Sequence, residues 1–105
     1  MKIIAELIDK MEDTLEEAEW YGAMAMHYRA EHKALADTYA KSGDMHITMY
    51  GMLHDRVVAL IEEEKKKGVE VPKEMQFYYE QMHKRLMERF TRAKFVLEEY
   101  KKLGY

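Results

Sequence analysis

Apolar residues recur at three- and four-residue intervals through almost the whole chain, the spacing of one face of an α-helix. From Ile3 to about Ala40, the residues Ile4, Leu7, Met11, Ala18, Gly22, Ala25, His32, Ala36 and Tyr39 fall on a single stripe, with Tyr21, Tyr28 and Arg29 at its edges. Ser42-Gly43-Asp44 then offers a terminating Gly followed by an N-capping Asp, the punctuation expected of a helical hairpin. A second helix is predicted from about Met45 to Lys66, with His46, Met49, Tyr50, Leu53, Val57, Leu60 and Glu64 as its stripe. Lys65, Lys66 and Lys67, just before Gly68, suit the negative end of its dipole. Val71-Pro72 opens a third helix, with Glu74 in the first turn and a stripe of Met75, Tyr79, Met82, Leu86, Phe90, Ala93, Leu97 and Tyr100. The pattern predicts an all-α antiparallel bundle of three long helices. A fourth arises if Thr14-Leu15-Glu16-Glu17, which has capping-box spacing, breaks the first near Asp13.

No repeat, linker or low-complexity tract interrupts this pattern, so residues 1–105 read as a single helical domain. The absence of cysteine excludes a disulfide framework, a thiolate metal site and a cysteine nucleophile. With 17 Lys and Arg against 20 Asp and Glu, the net charge is −3 and there is no basic field for a phosphate backbone, so nucleic acid is not an expected partner. No apolar run approaches the roughly 20 residues that cross a bilayer, and no leader pattern opens the chain. A cytoplasmic protein with no membrane association is expected. Ten Met and eight Tyr suit adaptable helical interfaces.

With the turn placed at Gly43, the second helix reaches only about the last 24 residues of the first, roughly 36 Å at 1.5 Å per residue. Ile3, Ile4, Leu7, Ile8, Met11 and Leu15 then overhang, and leaving such side chains wet costs about 1.5–3 kcal/mol each. The first helix also carries a second face of Trp20, Ala23, His27, Ala30 and Ala34, where small residues and one aromatic anchor suit a partner helix. Phe77 and Phe95 similarly lie opposite the main stripe of the third helix. A homo-oligomer and a protein partner are therefore expected, with Trp20, Ala23, His27, Ala30 and Ala34 as the partner-binding residues.

Counting from the predicted turns puts His32 opposite about Leu53 and His54, and His83 opposite about Val57, so the three histidines share one level. Glu80 and His83 add Glu-x-x-His spacing on one helix face. Imidazole and carboxylate groups from facing helices are how bundle cores hold iron, manganese or zinc, which makes His32, His54, Glu80 and His83 the candidate metal ligands. The leading reading is that these histidines only pack, with His32 and His46 in the core, and that the protein takes no cofactor; the iron, manganese or zinc site is the alternative. Signatures of other chemistry are missing: there is no Gly-rich phosphate loop, no Gly-x-Ser-x-Gly elbow and no His-Glu-x-x-His motif, and Ser42 is the only serine.

The segment Tyr28-Arg-Ala-Glu-His-Lys-Ala-Leu-Ala-Asp-Thr-Tyr39, followed by Asp44-Met-His-Ile-Thr-Met-Tyr-Gly-Met-Leu-His54, resembles the helical hairpin of ferritin-like, rubrerythrin-type proteins. It also resembles small uncharacterised helical proteins of phages and prophages of Gram-positive bacteria. The resemblance covers residues 17 to 64. A ferritin-like relationship implies a carboxylate-bridged di-iron centre, yet Gly51 and Gly43 stand where Glu would precede His54 and His46 by three residues. The resemblance thus implies a hairpin architecture without oxidase or iron-storage chemistry, and for the phage-type proteins it implies no established activity. The expected function is non-catalytic protein binding and self-association, as a phage accessory or inhibitor protein; the alternative is a degenerate ferritin-like metal binder.

Overall fold

The computed structural model describes residues 2–103. It contains three helices: α1 (Lys2–Tyr28), α2 (Lys33–Lys66) and α3 (Lys73–Lys102). Contacts run in opposite directions between α1 and α2, where Tyr21 meets Tyr39 and Thr14 meets Met49. The same holds between α2 and α3, where Tyr50 meets Phe90 and His54 meets His83. The chain therefore goes up, down and up again, α1 lies parallel to α3, and the bundle is a rod of 56 × 19 × 18 Å. No helix among the described residues is long and apolar enough to cross a membrane.

The first turn is not where the sequence pattern puts it. Helix α1 ends at Tyr28, and Arg29 to His32 make the reversal without a glycine or proline. The Arg29 guanidinium donates to the Met26 carbonyl at 2.5 Å, and the His32 amide donates to the Tyr28 carbonyl at 2.9 Å, so side chain and backbone together satisfy carbonyls that the ending helix leaves open. Gly43 lies inside α2, and packing accounts for it: a Cβ there would sit 2.7 Å from Leu97 Cδ2. Gly22 of α1 is the counterpart, where a Cβ would meet Val96 Cγ1 at 3.2 Å. Consecutive residues of α3 thus press on one glycine from each of the other helices.

Moving the turn by about a dozen residues removes the overhang. A 27-residue α1 lies along a 34-residue α2, about 40 Å against about 51 Å. Ile4, Ile8, Met11 and Leu15 are all buried in a core cluster with Tyr50, Val57 and Leu86. Of the predicted overhang only Ile3 stays largely exposed. Nor does α1 break near Asp13, because Thr14 is buried and returns its hydroxyl to the Lys10 carbonyl at 2.6 Å within a continuous helix. A second cluster of Ala25, Ala36, Ala40, Leu97 and Tyr100 fills the end of the rod near the first turn.

The second connection matches its sequence signals closely. Gly68 adopts a left-handed φ of 77°, the Val69 amide donates to the Glu64 carbonyl and the Gly68 amide to the Lys65 carbonyl, which together close α2 in a Schellman arrangement. Pro72 stands one residue ahead of α3 as its N-cap, with its carbonyl accepting from Met75 and Gln76. Ion pairs then fix α3 on its neighbours: Arg89 Nε donates to Glu19 Oε1 at 2.7 Å, Arg85 pairs with Glu12, and Lys101 Nζ lies 2.9 Å from Asp44 Oδ2.

Candidate functional site

Near the glycines, small side chains let α3 settle close to its neighbours; towards the second loop the facing residues are large. Tyr50 stacks on Phe90 with ring centroids 5.1 Å apart, and Tyr79 and Met82 pack against the core only in part. Bulky residues on both helices hold α2 and α3 apart, and a groove of about 240 Å³ opens between them. Ile8 and Met11 of α1 line its floor; Tyr50, His54, Val57 and Ile61 of α2 face Tyr79, Met82, His83 and Leu86 of α3. Burial raises the Tyr50 hydroxyl above its ordinary pKa, and burial with the neighbouring Tyr78 does the same for Tyr79. Both phenols stay protonated, and the Tyr50 hydroxyl donates to Met87 Sδ at 3.8 Å at the edge of the cleft.

Three of the four candidate metal ligands line this groove: His54, Glu80 and His83. The two imidazoles lie side by side, ring centroids 5.5 Å apart and planes inclined by 35°. His54 Nδ1 faces the Asp55 carboxylate at 3.6 Å. The predicted level of three histidines does not form, because with the turn at residues 29–32 His32 becomes the N-cap of α2. It is exposed against Tyr28, just ahead of α2 and 22 residues before His54, about 33 Å away along the helix axis. Among the described residues, no three His, Asp or Glu side chains gather as a group that could hold a metal ion.

His46 also departs from its predicted core position. It sits on the α1–α2 seam, its Nδ1 2.7 Å from the Ser42 carbonyl oxygen and its Nε2 2.8 Å from Glu17 Oε2, so both ring nitrogens have polar partners. Around it runs a band of aromatic rings: Tyr21 is 5.0 Å from His46 and 6.0 Å from Tyr39, Tyr39 is 6.1 Å from Tyr28, and Trp20 meets Tyr21 and Tyr39 edge-on at 5.4 Å each. Near the far end of this seam, the Tyr100 hydroxyl donates to Asp37 Oδ1 at 2.5 Å. Burial, reinforced by the Asp37 carboxylate, pushes Tyr100 up to about 12, while that hydrogen bond holds Asp37 below its ordinary value.

The predicted partner-binding residues are all exposed but do not share a helix face. Trp20, Ala23 and His27 lie on α1, Ala30 is in the turn and Ala34 is in the first turn of α2. Sequence spacing missed a different row, Met45, Met49 and Met52 of α2, which are 67%, 43% and 68% exposed. Their i, i+4, i+7 spacing is visible in the sequence, but the apolar stripe read there takes Met49 with His46 and Tyr50 and does not include Met45 or Met52. Phe77 and Phe95 are exposed on α3, as their position opposite its stripe predicts. Comparison of the chain with protein-family models, with curated proteins and with solved structures found no match to any of them.

Proposed function

We propose that the protein is a non-catalytic helical binding module that docks on another protein, and first on a second copy of itself, through the Met45, Met49 and Met52 row of α2. The carrying observation is the exposure of all three methionines on one face of a helix whose opposite side is already packed. Unbranched thioether side chains adapt their shape to a partner, and clusters of exposed apolar residues mark association surfaces. The row borders α1, since Met49 Sδ lies 4.0 Å from the Thr14 hydroxyl. Trp20, half exposed on the aromatic seam between α1 and α2, is a further large apolar side chain open to a partner. Burying each methionine at an interface contributes about 1.5–3 kcal/mol before the cost of association.

Support for self-association no longer includes an amino-terminal overhang, because α2 covers it. The test is light scattering coupled to gel filtration at micromolar concentration. The expected result is a species of at least twice the 12.6 kDa chain mass, reduced to one chain by Met45→Glu with Met52→Glu at unchanged helical circular dichroism. A wild-type monomer at every concentration removes self-association. A dimer indifferent to the double substitution removes the methionine row.

A further inference from the structure

We propose that His54 and His83 form a two-imidazole site for a divalent transition-metal ion, best filled by Zn²⁺, which ties α2 to α3 across the open groove. The argument starts from distance. With a ring radius of about 1.2 Å and a metal–nitrogen bond of about 2.0–2.1 Å, an ion sits about 3.2 Å from each ring centre, so two imidazoles on one tetrahedral ion have centres about 5.2 Å apart. The His54 and His83 ring centres are 5.5 Å apart. The spacing of the two rings therefore matches that of two imidazoles on one ion.

Three further observations point the same way. Neither ring is engaged in a hydrogen bond among the described residues, in contrast to His46, whose two nitrogens both have partners. The Asp55 carboxylate, 3.6 Å from His54 Nδ1, is too far for a hydrogen bond, so no fixed partner holds the His54 ring and it is free to turn a nitrogen towards His83. Glu80, one turn before His83 and lining the same groove, adds negative charge beside the ion. Two protein ligands leave the remaining positions to water. Affinity is then moderate, and imidazole donors select zinc, copper or nickel over magnesium or calcium. The helices being joined come from the two sides of the groove, so the ion acts where direct packing is thinnest.

The experiment is thermal unfolding of the metal-free full chain with and without ZnCl₂ at a tenfold excess over the dissociation constant, alongside NMR of the histidine rings. Zinc should raise Tm by about 5–10 °C, the rise should vanish in His54→Asn and in His83→Asn, and it should persist in His27→Asn. In the wild-type protein the ring signals of His54 and His83 should respond together at the same zinc concentration, a readout that does not depend on the variants folding. The proposal is overturned if zinc leaves Tm and both rings unchanged, or if the rise survives either substitution. A response centred on His46 also overturns it, by placing the ion on the His46–Glu17 pair.

Discussion

The two ends of this rod are built from the same three helices and behave as different materials. Towards the first turn, Ala25, Ala36 and Ala40 cluster with Leu97 and Tyr100, Leu97 presses into the notch at Gly43, and the large rings of Tyr28 and Tyr39 pack against the outside of this small-residue core. Towards the second loop, Ile8, Met11, Tyr50, Val57 and Leu86 make a core of large residues with a groove at its side. Small residues let helices approach until a single bulky side chain fills the space; large ones on both faces leave a seam. The closed end has spent its shape on stability, while the open end retains space for a ligand or an ion.

The sharpest way to break that contrast is to remove the wedge. Leu97 is 1% exposed, and Leu97→Ala should cost about 2–5 kcal/mol, read as a lower denaturation midpoint. Met82→Ala at the groove should cost about half as much or less, because that side chain is only partly buried and its neighbours already border open space. Equal losses at the two sites would mean that the ends do not differ in packing.

The glycines give a smaller and opposite-signed pair. Gly43→Ala must displace Leu97, whose Cδ2 would lie 2.7 Å from the new methyl; overpacking of about 1–3 kcal/mol outweighs a helix-propensity gain of about 1 kcal/mol. Gly51→Ala meets nothing within 4 Å and should stabilise by about 0.5–1 kcal/mol. A cycle combining Gly43→Ala with Leu97→Val should recover part of the loss, whereas additive losses would contradict direct contact between the two sites.

A pH-dependent effect belongs to the Tyr100–Asp37 bond. Because Tyr100 is raised from 10.0 to about 12 in the folded chain, its stabilisation is complete below the unfolded value and is lost as pH rises from 10 towards 12. Asp37, lowered from 3.8, works in the other direction: its contribution is present above that value and is lost as pH falls below it. Tyr100→Phe should therefore flatten both limbs of a plot of stability against pH. Tyr50 and Tyr79, also raised, keep some alkaline slope in the variant. An alkaline limb identical to that of the wild type would show that the bond does not form in solution.

Helix content and the apolar stripe of α3 were legible in the sequence because Gly68 and Pro72 act locally, through a left-handed φ and a fixed φ, at the places where they stand. Gly43 was not legible, since its reason lies 54 residues away in Leu97, and a packing glycine has the same local appearance as a capping one. The real turn carries no breaker residue and is secured by Arg29 reaching back to Met26. That one displacement explains most of the other differences: the covered amino-terminal residues, the exposed His32, the seam position of His46 and the division of the predicted Trp20-to-Ala34 face. The His54–His83 pairing was unaffected because it depends only on the second loop.

The parallel placement of α1 and α3 sets an order for folding. The α1–α2 hairpin closes over four residues, whereas the Glu19–Arg89 pair joins positions 70 residues apart. Loop closure disfavours the distant pairing until the hairpin provides a surface for it. We expect α3 to dock last and to leave first, with Leu97 and Val96 latching onto notches that already exist. In amide-exchange measurements, α3 should open at lower free energy than the Thr14–Met49 stretch of the hairpin; equal protection in all three helices would instead mark the rod as one cooperative unit.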